Sequence, residues 1–284
     1  MIPKILAIYY GYPSLINNSN GNISNAINIL KNYDMIIFGS GLEQSSHSDH
    51  KNTKNIILHP NMINTKVYGY IDSTISINQF KNKTDNWQKL GVKGIFADRF
   101  GYDFSVSRFK QNQILDYIHS KNLQAFVNAW NVDDVFGNNI NIPSNPTGIV
   151  SHIGPNDWYL AQSYQIYNGV YQSVQDWKNK SDKMTFYKQK FGTKMATCST
   201  WNTSQFDQSK MDYAYFSTIL YNFDAYCFGE YNFSTDSQLP FRSRKEFIGT
   251  NFVTNIVQNQ NKVSRYFNVG IKLDTANHTI NYII

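Results

Sequence analysis

Short apolar, β-branched or aromatic runs alternate along the chain with longer segments of helical periodicity. The runs occupy residues 4–10, 35–38, 66–71, 94–98, 123–130, 158–164, 194–198 and 225–229. Each is bounded by turn-forming residues, the pattern of a strand. Successive starts fall 28 to 36 residues apart. Between the runs, residues 111–121 place Ile114, Leu115, Tyr117 and Ile118 on one helical stripe, with Ser107 upstream as the N-cap. Residues 22–32 do the same with Ile23, Ala26, Ile27 and Leu30, and residues 75–90, 170–191 and 209–221 supply similar connections. Eight strand–helix units of this length predict a (β/α)8 TIM barrel, the closed parallel form of α/β architecture. A doubly wound open sheet is the competitor, but no glycine-rich phosphate fingerprint follows the first strand, and Gly39-Ser40-Gly41 reads as a turn. Residues 245–259 read as the eighth helix. Residues 264–284 alternate as two strands around Thr275-Ala276-Asn277. The expected organisation is a barrel domain over residues 1–260 and a C-terminal β-hairpin over 261–284. That hairpin packs on the barrel or pairs with another chain through its sheet edge.

Composition narrows the classes. Of 284 residues, 41% are hydrophobic, 15% aromatic and only 16% charged, while 35 are asparagine. Mean hydropathy is -0.45, so amides and hydroxyls supply the polarity. No stretch reaches the roughly 18 uncharged apolar residues of a membrane-spanning helix, which argues against membrane insertion. The aromatic content excludes a disordered chain. The first apolar run is short and ends in Tyr9 and Tyr10, so it reads as a strand and not as a secretory signal. The localisation expected on these grounds is the cytoplasm or a particle that incorporates the protein. The net charge of +6 comes from dispersed lysines and arginines. The densest basic stretch, from Lys178 to Lys190, is interrupted by Asp182 and reads as a solvated helix face. Without a basic stripe or a known motif, no nucleic-acid partner is expected. Cys198 and Cys227 fall on strands that would be neighbours and read as buried free thiols.

Catalytic residues of such a barrel lie at the C-terminal ends of its strands. Those positions carry Tyr10 after the first run, Glu43 after the second, Asp72 after the third, and Asp98, Arg99, Tyr102 and Asp103 after the fourth. The fifth gives Asn128, Trp130, Asn131, Asp133 and Asp134. The sixth gives Gln162, Tyr164 and Gln165, the seventh Trp201 and Asn202, and the eighth Glu230. The set is one of carboxylates, amides and aromatic rings, with no nucleophilic Ser or Cys beside a His. His47, Asp49 and His50 could gather round a metal, but a polar loop explains them better, so neither metal nor cofactor is expected. Glycosidic cleavage uses two carboxyl groups, amides bind hydroxyls without committing charge, and flat rings stack on sugar faces. The expected partner is therefore a polysaccharide or other glycan.

Several stretches carry a family likeness. They are Gly94-Ile-Phe-Ala-Asp98-Arg-Phe-Gly-Tyr-Asp103 with Arg108 and Gln111-Asn112, then Tyr117-Ile-His119 with Ala125-Phe-Val-Asn128-Ala-Trp130-Asn131-Val-Asp133-Asp134-Val, and Tyr68-Gly-Tyr-Ile71. Together they resemble the glycosidase-like (β/α)8 superfamily that contains the endo-α-1,4-polygalactosaminidases (glycoside hydrolase family 114) and the spherulin-4-like proteins, over residues 4–235. The resemblance implies a catalytic carboxylate at Asp98 and a Glu near the end of the sixth strand. Here Gln162 stands at that second position and cannot donate a proton as an acid does. Glu230 or Asp103 would supply the second carboxyl, or the site no longer hydrolyses. The resemblance also implies a cationic amino-sugar polymer. It would favour an acidic cleft, which Asp72, Asp98, Asp103, Asp133, Asp134 and Glu230 could form, with the basic excess on the helices and the bottom face.

Two expectations follow. One is a glycoside hydrolase with Asp98, Asp103 and Glu230 as candidate catalytic groups and Tyr10, Asp72, Asn128, Trp130, Asp133, Gln162, Tyr164 and Trp201 as substrate-binding residues. The other is a non-catalytic glycan-binding or structural barrel of a surface or virion assembly, because fold does not fix function.

Overall fold

The computed structural model describes residues 2–202, 206–229, 232–246, 252, 254–266 and 270–283. Eight parallel strands close into a barrel. They are β1 (Lys4–Tyr9), β2 (Met35–Phe38), β3 (Lys66–Asp72), β4 (Gly94–Asp98), β5 (Gln124–Asn128), β6 (Trp158–Ala161), β9 (Lys194–Thr200) and β10 (Ala225–Gly229), and β10 returns to β1. Each matches one of the eight predicted runs. The short pair β7 (Ile166–Tyr167) and β8 (Val170–Tyr171) lies between β6 and β9.

Side-chain alternation along a strand sends every second residue to the same face. Leu6 and Ile8, Met35 and Ile37, Tyr68, Phe96, Phe126, Trp158 and Leu160, Ala196 and Cys198, and Ala225 and Cys227 fill the barrel interior. The other parity packs beneath the helices. Aromatic rings form much of the interior: Phe96 meets Phe126 edge-on at 5.4 Å, and Phe126 meets Trp158 at 5.8 Å. Gly94 opens β4 because a Cβ there would lie 2.2 Å from the Gln124 carbonyl oxygen. Cys198 and Cys227 face each other in register as free, buried thiols.

The outer layer comprises α1 (Ile23–Leu30), α2 (His50–Ile57), α3 (Ile77–Leu90), α4 (Arg108–Ser120), α5 (Val132–Phe136), α6 (Val174–Phe191) and α7 (Gln208–Leu220). Ser107 caps α4 as expected, accepting from the Lys110 amide, and Ser76 and Gln79 form a capping box on α3. Three departures from the sequence reading have local causes. The stretch read as a loop around His50 contains α2, whose buried face is only Thr53 and Ile56, too short a stripe to show as periodicity. The helix expected from residue 170 starts at Val174, because Asn168 and Gly169, both at positive φ, turn a small hairpin first. Of the eighth helix expected over 245–259, residues 247–251 and 253 lie outside the described residues, and Val257–Asn259 is a strand.

Beside β1, an extended strap returns along that strand. The Tyr10 amide donates to the Thr235 carbonyl, and the Thr235 amide donates to the Ile8 carbonyl. The C-terminal hairpin is present as β13 (Gly270–Asp274) and β14 (Thr279–Ile283), and it belongs to a four-stranded antiparallel sheet with β11 (Val257–Asn259) and β12 (Lys262–Arg265). This sheet packs on α7 and buries Val263, Ile271 and Leu273.

Candidate active site

Strand parity builds the site. Phe96 is interior, so Asp98, two residues on, points inward at the barrel mouth, as Tyr70 does on β3, Asn128 on β5 and Gln162 after β6. The β4–β5 register then sets Asn128 beside Asp98, and the Asn128 side-chain amide donates to Asp98 Oδ1 at 2.7 Å. Arg99 follows in the left-handed region, at φ 55°, a conformation uncommon for a residue with a Cβ. The Ser73 amide donates to the Asp98 carbonyl, and the Phe100 amide to the Asn128 carbonyl, fixing the turn at both edges.

Asp98 is largely buried. Burial pushes its carboxyl above the usual range, while the Asn128 amide, the Arg99 backbone N–H and the Tyr70 hydroxyl pull the other way and the Asp72 charge adds to the rise. Such a carboxyl keeps its proton to higher pH than an exposed one and is suited to giving that proton up in a reaction. Tyr10 lies against Tyr70 with ring centroids 5.1 Å apart. Burial, and then the Asp98 charge, drives its hydroxyl far above the ordinary tyrosine range.

A cavity of about 280 Å3 opens over Asp98, walled also by Arg99, Asp103, Phe104, Asn128, Ala129, Trp130 and Gln162. Five of the sequence-derived candidates (Asp98, Asp103, Asn128, Trp130 and Gln162) therefore meet around one space. Asp103 sits on a single helical turn, Tyr102–Phe104. Behind it, Asp134 accepts from the Tyr102 amide at 2.9 Å and from the Asn131 side chain at 3.1 Å. Burial raises the Asp134 carboxyl against the Tyr102 amide, and the charges of Asp103 and Asp133 raise it further. Arg108, fully buried, anchors this corner by donating to the carbonyls of Val135 and Gly137 and to Gln111 Oε1.

Other candidates are engaged elsewhere. Asp72 pairs with Arg99 at 3.0 Å. Partial burial opposes its ionisation, but the amide and hydroxyl of Thr74 and the Arg99 guanidinium outweigh that and hold it below the usual range. Asp133 accepts from Lys183 and from the Tyr187 hydroxyl at 2.8 Å. Tyr164 is a core residue whose hydroxyl donates to the Ser217 carbonyl at 3.2 Å. Trp201 lies under Lys210, 4.0 Å from its ring centroid, and does not line the Asp98 cavity. Glu230 lies outside the described residues. Glu43 is buried in an ion pair with Lys83. Asp49 accepts from the amide and hydroxyl of Ser14. Among the described residues, no group of three or more His, Cys, Asp or Glu is placed to hold a metal ion.

These pairings withdraw two of the six acids of the expected acidic cleft. Arg99 and Lys183 offset Asp72 and Asp133, and cations stand on the barrel mouth as well as on its outside. A second cavity, of about 560 Å3, shares Trp130 with the first and is lined by Ser163, Tyr164, Gln165, Gln172, Asp176, Lys180 and Lys183 among others. Lys180 and Ser163 carry no mark in the sequence. Lys180 sits in the basic stretch that reads as a solvated face, and a serine after a strand is unremarkable.

No known family model matches the chain, and no curated protein matches it. Solved structures similar to it include a glycoside hydrolase family 5 enzyme from Prevotella bryantii B14, at 8% identity and TM-score 0.45, covering 72% of this chain and 77% of that one. A type I 3-dehydroquinate dehydratase from Clostridium difficile is 11% identical with TM-score 0.44 and coverages of 80% and 84%. A D-allulose 3-epimerase from Methylomonas is 13% identical with TM-score 0.45 and coverages of 81% and 86%. The barrel assignment stands on the strand pairing itself, and no function is carried over from these proteins.

Proposed function

We propose that this barrel acts on a polysaccharide as a glycoside hydrolase, with Asp98 as the proton donor to the leaving glycosidic oxygen. The observation that carries the reading is the Asp98 carboxyl: inward-facing at a strand's C-terminal end, raised by burial, held by Asn128 and open to a cavity that also contains Asp103 and the exposed Trp130 ring. In this reading Asp98 transfers its proton as the glycosidic C–O bond breaks. Asp103, which shares the cavity, is the second carboxyl and either takes a proton from the attacking water or attacks the anomeric carbon itself. Glu230 is its rival for that role. Gln162 and Asn128 bind sugar hydroxyls, and Trp130 offers a ring to a sugar face. The likeness of residues 94–103 and 125–135 to the polygalactosaminidase and spherulin-4-like superfamily supports the same position for Asp98.

The test is incubation with a panel of polysaccharides, including a deacetylated galactosaminan, with detection of new reducing ends. Asp103→Asn and Glu230→Gln decide the second carboxyl: the true partner loses cleavage and the other keeps it. NMR of the first-formed anomer gives the stereochemical course. Gln162, where the family likeness implies an acid, favours one second reading, a barrel that binds glycan without cleaving it. Saturable binding with no reducing ends from any polymer in the panel would establish that reading and remove the hydrolase.

A further inference from the structure

The second cavity has features that the Asp98 site does not use. Of the five lysines of α6, Lys190 lies over the Phe186 and Phe191 rings, away from the cavity lining, and the other four show a contrast. Lys178 pairs with Asp182, Lys183 with Asp133, and Lys188 with Asp224. Lys180 makes no ion pair among the described residues. Its ammonium lies over the Trp130 ring, 4.5 Å from the centroid, and lines the cavity. Ser163, also on the cavity, is held at φ 55° by the turn after β6 and is 4% exposed. Its buried hydroxyl has no hydrogen-bond partner among the described residues, and the residue borders the same space. A buried hydroxyl without a partner is costly, and so is a half-buried ammonium without an anion, so each is a group prepared for a ligand. Gln172 and Asn179 add amides suited to sugar hydroxyls. Trp130 remains 58% exposed and borders both cavities, so one bound chain can run from Asp98 across the indole to Lys180.

We propose that this cavity is a subsite for a sugar residue bearing a carboxylate, a uronic acid of the bound polysaccharide, with Lys180 as its counter-cation and Ser163 as its neutral hydrogen-bond donor. The proposal rests on the glycan reading of the Asp98 cleft and sharpens its substrate class. A cationic polymer would place its own ammonium groups against Lys180 and Lys183, whereas an acidic one meets an unpaired cation. Among the described residues the cavity wall has one carboxylate, Asp176, which accepts from the Ser173 hydroxyl at 2.7 Å. Burial lowers Lys180 to about 8, opposed only by the Asp176 charge, so the group is largely cationic at neutral pH and a bound carboxylate would pull it back up.

The experiment is calorimetric titration of the full chain with three probes: a hexuronic acid oligosaccharide, the same oligosaccharide with its carboxyls reduced to alcohols, and inorganic sulfate. The wild type should bind the acidic oligomer about tenfold more tightly than the reduced one, the effect of one charge-assisted hydrogen bond. Lys180→Met should abolish that preference and leave the reduced oligomer's affinity within about twofold, while Lys180→Arg should retain it. Ser163→Ala should weaken both oligomers by a smaller factor. Circular dichroism confirms that each variant is folded. Equal wild-type affinity for the two oligomers, or an unchanged preference in Lys180→Met, overturns the subsite while leaving the glycan reading intact. Sulfate that competes as tightly as the acidic oligomer would mark an ion site and also overturns it. If neither oligomer binds, the subsite falls, and the glycan reading stands or falls separately on the polysaccharide panel.

Discussion

At the scale of single residues, the proposed chemistry turns on how two ionisable groups are housed. Asp98 is a carboxyl under strain: interior, largely desolvated and beside a second carboxylate, with one side-chain amide holding it in place. Its pKa is raised by folding, so the folded state holds the proton more tightly than the unfolded chain does. Stability therefore declines as pH rises from the unfolded carboxylate range, near about 4, through the folded value. Asp98→Asn removes that decline. It should stabilise the protein at pH 7 and change it little at about pH 3, as measured by urea denaturation at the two pH values. Lys180 is the opposite case, a cation lowered to about 8 by burial. The charged groups facing it are Asp176 on its own helix and Lys183, itself paired with Asp133 of the neighbouring connection. Binding of an acidic oligomer should weaken as pH rises through about 8, and Lys180→Met should show a flat profile over the same range.

At the scale of elements, the site depends on parts that never touch a ligand. Arg108 donates from the start of α4 to the end of α5 and so fixes the corner that presents Asp103 and Asp134. Arg108→Met would remove the guanidinium donors from the Val135 and Gly137 carbonyls and should cost about 2–3 kcal/mol in denaturant titration. Gly94→Ala would press a methyl into the Gln124 carbonyl and shift the strand that carries Asp98, costing roughly 1–3 kcal/mol with a loss of cleavage beyond the loss of fold. Most elements were legible in the sequence, because the interior parity of Phe96, Phe126 and Leu160 appears as short apolar runs and Ser107 marks the start of α4. The illegible ones lacked such a signal. The α2 helix buries just two side chains, and the strand at Val257 sits in a polar stretch whose pairing with β12 is set by the turn at Gln260 and Asn261. The candidate site was legible to the extent that strand parity reaches. Asp98, Asn128 and Gln162 follow from alternation. The ion pairs that withdraw Asp72 and Asp133, and the turn of Lys180 over Trp130, depend on side chains from separate elements, which no spacing in the chain encodes.

At the scale of the molecule, the barrel separates stability from chemistry in the manner usual for this fold. An aromatic interior and a bottom face closed by contacts such as His119 with Asp157, at 3.0 Å, hold the frame. The mouth gathers the amides, rings and carboxyls. The terminal sheet is integral to that frame: Ile271 and Leu273 are fully buried where it packs on α7, and Leu273→Ala should cost about 2–5 kcal/mol. Lys180 brings a cation without an ion pair among the described residues to the mouth, and the uronic-acid subsite proposed above rests on it. The central claim is that a glycan is cut at Asp98, and the most direct measurement is the rate of reducing-end release from a cleaved polysaccharide by wild type and by folded Asp98→Asn. Asp98→Asn should lose at least about a hundredfold, the usual contribution of a positioned general acid. Release by the Asp98→Asn protein at the wild-type rate would contradict that claim.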